Sequence, residues 1–234
     1  MRLIDFTQTR PIIAGAIKRL PGDRIAPAVD VLAAYTQGIQ DWGLLPQNFI
    51  IAKQVHGSDV RVVVRGDGGI VDTVITQQLE CDGLVTREIG LGVGIVTADC
   101  LPVLFFDEDA TVVAAAHAGW RGLADSVLAA TVKDMGVLPE KLHAYIGAAI
   151  CQNCFEVGPE VAAAFAEKHY IKGGRDDRLH IDLKGIATEQ LQAQGVKYIT
   201  VSPDCTCCLP GVYWSHRKHS WQRGNQLTFI CLSS

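Results

Sequence analysis

The sequence predicts one mixed α/β domain spanning residues 1–234, with its β-sheets covered by helices on their outer faces. Three observations predict it. Apolar runs of strand length, such as GLGVGIVTAD, TVVAAAHA and QLTFIC, are interleaved with segments whose apolar residues recur at helical spacing. Hydrophobic residues make up 48% of the chain and charged ones 20%, a globular balance rather than a disordered one. No linker, repeat or low-complexity tract divides the 234 residues, a length that one domain can hold.

In chain order, PIIAGAIKR is read as a first strand. APAVDVLAAYTQGIQDWG follows as a helix that Gly43 stops. NFIIAKQV and DVRVVV are β-rich runs joined through His56, Gly57 and Ser58, which puts His56 at a tight connection. DGLVT, GLGVGIVTAD, PVLFFD and TVVAAAHA form a block of strands, the last two a hairpin turned at Asp107 to Asp109. LADSVLAATVKDMG is helical, HAYIGAA a strand, and GPEVAAAFAEKHY a helix opened by Pro159. DLKGIATEQLQAQG is a helix capped by Asp182 and closed by Gly195. KYITVS, VYWSH and QLTFIC complete the strands. In GLGVGI the glycines alternate, so Gly90, Gly92 and Gly94 share one strand face and admit a close neighbour. A dinucleotide fingerprint needs its glycines between a strand and a helix, and no helix follows here.

Charge and segment lengths narrow the partners. A net charge of −4 leaves no basic stripe for nucleic acid. The small cluster Arg217, Lys218 and Arg223 fits a local anion site better. No apolar run is long enough to span a bilayer, and Asp5, Thr7 and Arg10 interrupt the N-terminal segment, which has no signal-peptide core. The terminal CLSS fails as a prenylation box because Ser233 is not aliphatic, so Cys231 is read as the tail of a strand. These features predict a cytoplasmic protein that binds neither nucleic acid nor membrane.

Eight cysteines then require an account. Five fall in two clusters, Cys151 and Cys154 in CQNC and Cys205, Cys207 and Cys208 in CTCC. CxxC is a zinc knuckle, so the two clusters could make a structural zinc site. Reduced thiols packed as small hydrophobes are the other reading.

Three further segments each carry one metal-ligand side chain at the end of an apolar run: His56 in QVHG, Cys100 in TADC and His117 in HAGWRG. A His, Cys, His trio suits a catalytic zinc, since three protein ligands leave the fourth position for water or substrate. Gly57, Pro102 and Gly119 stiffen the backbone beside the three. Asp99 is read as a proton acceptor, as a partner to a ligating histidine, or as a structural cap of its turn.

QVHGSDV, TADCLPVLFFD, HAGWRG, IGAAICQNCFEVGPEV and the later SHR, in this order, resemble the YfiH or laccase-domain family from about Lys53 onward. The resemblance implies a layered α/β sandwich and zinc on His56, Cys100 and His117. It implies a purine nucleoside phosphorylase acting on adenosine, inosine, guanosine and methylthioadenosine, with adenosine deamination as a side activity. Phosphate would be held by Lys53, Arg121 and Arg217, because guanidinium forks match phosphate oxygens; Lys53 and Asp99 are the expected catalytic side chains. Many relatives carry a TGR-like segment near the C-terminus where this chain reads QRGNQ, with Arg223, Gly224 and Asn225.

Three other readings compete. A copper polyphenol oxidase would want many histidines, usually in HxH pairs, and this chain has seven His and no HxH. Copper could still enter a His₂Cys site in vitro. A Cys–His amide hydrolase would use Cys100 as nucleophile on peptidoglycan precursors. A non-enzymatic scaffold would hold its metal structurally.

Overall fold

The structure, a computed structural model, describes residues 12–18, 28–67, 69–71, 74–76, 79–174, 177–220 and 224–233. In chain order its elements begin with β1 (Ile12–Ile17), α1 (Ala28–Asp41), β2 (Phe49–Ile51), β3 (Val60–Val62), β4 (Gly69–Val71) and β5 (Val74–Thr76). β6 (Gly83–Thr86), β7 (Gly92–Thr97), β8 (Leu101–Asp107), β9 (Val113–Ala118), α2 (Trp120–Ala124) and α3 (Val127–Met135) follow. Then come β10 (Leu142–Ile146), β11 (Glu156–Val157), α4 (Pro159–Ala162), β12 (Tyr170–Lys172) and β13 (Leu179–Ile181). α5 (Leu183–Ala193), β14 (Tyr198–Val201), α6 (His216–His219) and β15 (Gln226–Leu232) complete the chain.

Two mixed sheets lie face to face. One runs β1-β15-β7-β2 and the other β14-β10-β8-β9-β6-β3. Strand alternation sorts the side chains into three cores. Ile50, Val93, Ile95 and Ile230 of the first sheet meet Leu84, Leu104, Phe106, Val113 and Ala115 of the second. The opposite faces of β8, β9 and β10 present Val103, Phe105, Ala116 and Ala144 to Leu128 and Val132 of α3 and Ile186 and Leu191 of α5. On the far side of the first sheet, Tyr35 and Ile39 of α1 cover Phe49, Leu227 and Phe229. The layers are therefore helix, sheet, sheet, helix, the mixed α/β sandwich the sequence predicts.

The glycine alternation has a visible purpose. A Cβ at Gly92 would come within 2.4 Å of the Phe49 ring, and one at Gly94 within 2.8 Å of Leu227 and 3.0 Å of Phe49. Phe49 lies across the strip that these two residues leave bare and meets Phe229 edge-on, with ring centroids 5.6 Å apart. Gly90 is not part of the strip: it sits before β7 with φ +78, in a turn.

The strand and helix expectations hold for β1, β6 to β10, β14, β15, α1 and α5, with four corrections. The helix expected over LADSVLAATVKDMG is broken into α2 and α3 where Ser126 takes a left-handed φ of 65. The helix opened by Pro159 stops at Ala162, because Ala164 and Phe165 bond three residues back instead of four and tighten the turn. VYWSH is not a strand. The Gln226 side chain accepts from Trp214 N at 2.9 Å and donates to Trp214 O at 3.1 Å, replacing a strand partner, and Ser215 then caps α6. NFIIAKQV and DVRVVV pair with different sheets, so the His56 connection is a crossover between sheets.

Candidate metal centre

His56 and Cys100 both lie on connections that pass from the four-stranded sheet to the six-stranded one, β2 to β3 and β7 to β8. His117 lies in β9, opposite Pro102 at the start of β8. The antiparallel pairing of β8 and β9 thus brings Cys100 and His117 to one end of the sandwich. The ligand atoms of His56, Cys100 and His117 all fall within 4.8 Å of one another. His56 is exposed, Cys100 partly exposed and His117 buried, so the cluster opens outward on the His56 side.

Two of the connecting residues take unusual backbones. His56 has φ 63 and Asp99 φ 97, a region non-glycine residues rarely occupy. Such strain persists only where the surroundings fix it. At His56 the fixing group is Asp82, fully buried at the start of β6. Its carboxylate accepts the backbone N–H groups of Val55, His56 and Gly57 at 3.2, 3.0 and 2.7 Å. It also lies 2.7 Å from Nδ1 of His117. With Nδ1 engaged, the other ring nitrogen of His117 is the one left to face Cys100 and a metal. Upstream, Gln54 pairs with Val96 through both ends of its amide, at 2.6 and 2.8 Å, and ties the His56 segment to β7.

The electrostatics follow from these contacts. Burial works against the charged forms, yet the groups keep them. Asp82 is held below the usual carboxylate range despite its burial, by His117 and by the backbone N–H of Gly57. Burial pushes the Cys100 thiol up, but hydrogen bonds from His117 and His56 outweigh it and bring the thiol down to about 6. Burial pulls His117 down, while Asp82 and Cys100 raise it to about 9. A thiolate between two imidazoles, one of them oriented by a carboxylate, is a donor set built for a divalent cation.

The glycines of HAGWRG make room for it. A Cβ at Gly119 would sit 3.2 Å from Cys100 Sγ and 3.5 Å from each histidine ring. One at Gly122 would come 2.9 Å from the Gly57 carbonyl, so α2 can approach the His56 loop only without a side chain there.

Asp99 plays a different part from the proton acceptor or histidine partner read from its position beside Cys100. One carboxylate oxygen accepts from Thr206 Oγ1 at 2.6 Å and the other from the backbone N–H of Arg217 at 2.7 Å. Its carbonyl accepts from Ile150 N at 3.0 Å. Asp99 therefore pins the Cys100 connection to three distant points, Ile150, Thr206 and Arg217, and Asp82 is the residue that orients His117.

The three expected phosphate cations separate. Lys53 Nζ pairs with Glu80 at 2.8 Å on an exposed edge. The Arg217 guanidinium donates to the carbonyls of Cys154 and Glu156, both at 2.9 Å. Arg121 is exposed, two residues past Gly119, and its guanidinium lies 4.4 Å from the Trp120 ring centroid with no hydrogen-bonded or ionic partner among the described residues. Arg223 lies outside the described residues; Gly224 packs on the Trp214 indole, and the Asn225 carbonyl accepts from Tyr35.

A family model described as multi-copper polyphenol oxidoreductase laccase matches residues 27–233. The chain belongs to this laccase-domain, or YfiH, family. A protein named adenosine deaminase RL5, from an unknown prokaryotic organism, is 31% identical over 87% of the chain and 82% of its own length. One named purine nucleoside phosphorylase YfiH, from Escherichia coli, is 35% identical over 81% and 76%. Among solved structures, YlmD from Geobacillus stearothermophilus superposes with a TM-score of 0.84 at 26% identity, covering 96% of this chain and 93% of that one. Relatives in this laccase-domain family thus carry enzyme names for two purine-nucleoside reactions. The copper in the family's description finds no histidine cluster here: among the described residues, the groups able to hold a metal are the trio and a set of four cysteines. No helix among the described residues is long and apolar enough to cross a membrane.

Proposed function

We propose that the chain is a zinc-dependent purine nucleoside phosphorylase. Its substrates are adenosine, inosine, guanosine and methylthioadenosine, with adenosine deamination as a side activity. The observation that carries this reading is the three-donor cluster of His56, Cys100 and His117, open on the His56 side. Three protein ligands with one position left free are the pattern of a catalytic rather than a structural zinc. The names of the relatives point to nucleosides as what meets it.

Zinc held by these three side chains supplies Lewis acidity at neutral pH. In phosphorolysis a phosphate oxygen bonds to C1′ as the C1′–N9 bond breaks. The bonding pair leaves with the purine, which takes up a proton, and ribose 1-phosphate remains. The chain must hold a dianion and keep the ligands rigid. Arg121 is the cation we assign first to phosphate, because its planar fork is uncommitted and lies close to His117 in the chain. Lys53 and Arg217 would have to leave Glu80 and two backbone carbonyls to join it. Asp82 keeps His117 and the His56 loop in place, and Asp99 does the same for Cys100. We read residues 1–234 as one domain of a cytoplasmic protein, where its eight free cysteines stay reduced.

The test is product analysis. Inosine incubated with the protein should give hypoxanthine and ribose 1-phosphate only when phosphate is present. Free ribose formed equally without phosphate would mean hydrolysis instead.

One observation favours a second reading. Cys100, His117 and Asp82 stand in the order nucleophile, base and orienting carboxylate. An amide hydrolase acting on peptidoglycan precursors would use them without metal. Chelation would spare that enzyme and thiol alkylation would stop it.

A further inference from the structure

We propose that Cys151, Cys154, Cys205 and Cys208 form a second, closed metal site that holds a structural zinc ion. The four sulfur atoms lie within 4.8 Å of one another, although the two pairs are separated by some fifty positions in sequence. Each pair is a CxxC knuckle, and two knuckles facing each other make the four-thiolate shell that zinc takes in structural sites. With Zn–S bonds of about 2.3 Å, tetrahedral geometry sets neighbouring sulfurs roughly 3.8 Å apart. Cys154 and Cys208 are 3.5 Å apart, and Cys151 and Cys208 4.0 Å. A disulfide needs about 2.05 Å, and all four thiols are free. Cys207, grouped with them by sequence, falls outside the set of four whose sulfurs all lie within 4.8 Å of one another.

The backbone is arranged for charged sulfur. Cys205 Sγ accepts N–H groups from Cys151 at 3.2 Å and from Cys208 at 3.4 Å. Four thiolates on a divalent ion leave a net charge of 2−, and two cations flank the cluster. Lys184 Nζ donates to the carbonyls of Ser202 and Asp204, at 2.7 and 2.8 Å, next to Cys205. Arg217 donates to the carbonyl of Cys154. Cys205 is buried and Cys208 exposed, so the ion can enter from solvent.

The site also has something to hold. Residue 149 bridges to Cys205, and Thr206 bonds Asp99, the neighbour of Cys100. Ile150, on the other knuckle's side, donates to the Asp99 carbonyl. A zinc ion joining the knuckles fixes two of the three points that pin the Cys100 connection, Ile150 and Thr206. It leaves no position for substrate, so its part is positional and it is independent of the phosphorylase reading.

The experiment is zinc K-edge absorption and metal analysis of Cys100→Ala protein as purified under reducing conditions. That substitution removes the thiolate from the trio and leaves the four cysteines intact. Stoichiometric zinc with a sulfur-only shell at about 2.3 Å is expected. In a wild-type background, Cys154→Ser with Cys208→Ser should abolish that shell and leave mixed nitrogen and sulfur scattering, and Cys207→Ser should change nothing. Folded Cys100→Ala protein with no bound metal, or with zinc in a nitrogen and oxygen shell only, overturns the proposal. So does recovery of these four cysteines as disulfides from reduced preparations. Should the double serine variant not fold, the Cys100→Ala spectrum decides alone.

Discussion

Asp82 binds the side chain of His117 and the backbone of His56 at once, with Oδ1 2.7 Å from the ring Nδ1 of the first and 3.0 Å from the N–H of the second. One buried carboxylate thereby sets the ring orientation of His117 and the strained backbone of His56.

Replacing Asp82 by Asn should separate these duties. The amide oxygen can still accept backbone N–H groups, but its NH₂ would face His117 and move the ring proton onto the nitrogen needed for metal. Metal affinity should fall roughly 10- to 100-fold, the usual cost of losing such a partner, with little change in fold. Competition against a zinc chelator measures it; unchanged affinity would remove Asp82 from the account.

Gly122→Ala should act through backbone, since its Cβ would lie 2.9 Å from the Gly57 carbonyl. Moving α2 away from the His56 loop should cost about 1–3 kcal/mol, read as a lower urea midpoint, and should reduce metal content as well. A variant as stable and as metal-loaded as wild type would show that the close approach is not required.

On the opposite face of the fold, Gly92→Ala should destabilise without touching the metal. Its Cβ would enter the Phe49 ring, which has no exposed side to retreat to. A loss of about 1–3 kcal/mol is expected, with the metal-to-protein ratio unchanged in the folded fraction. Metal loss at full stability would contradict the separation of core and site.

Gln226→Leu should expose what the irregular segment before α6 depends on. The buried N–H and carbonyl of Trp214 would both lose their partner, at a cost of about 1–3 kcal/mol each. Chemical denaturation measures the loss; a change below about 0.5 kcal/mol, the scatter of ordinary surface substitutions, would count against the pairing.

Much of this was legible in the sequence for a physical reason. Apolar runs of strand length marked β7, β8, β9 and β15 because these strands are buried along nearly their whole length, and turn residues marked the hairpin at Asp107. The trio was legible because each ligand ends an apolar run, where a rigid strand hands over to a loop. Asp82 was missed because a lone carboxylate has no pattern, and its worth lies wholly in contacts with residues 25 to 35 positions away. VYWSH misled because its aromatic and β-branched residues suit a strand, while a side-chain amide had taken the strand partner's place. The four cysteines could be grouped by spacing, but only the fold could show that Cys208 rather than Cys207 completes the set.

The measurement that tests the central claim most directly is phosphate-dependent release of hypoxanthine from inosine by zinc-loaded wild type, metal-stripped wild type and Cys100→Ala protein. The account predicts release by the zinc-loaded enzyme alone, matched by ribose 1-phosphate, and its return when zinc is restored to the stripped protein. Equal release by the stripped enzyme, or none under any metal loading, would contradict it.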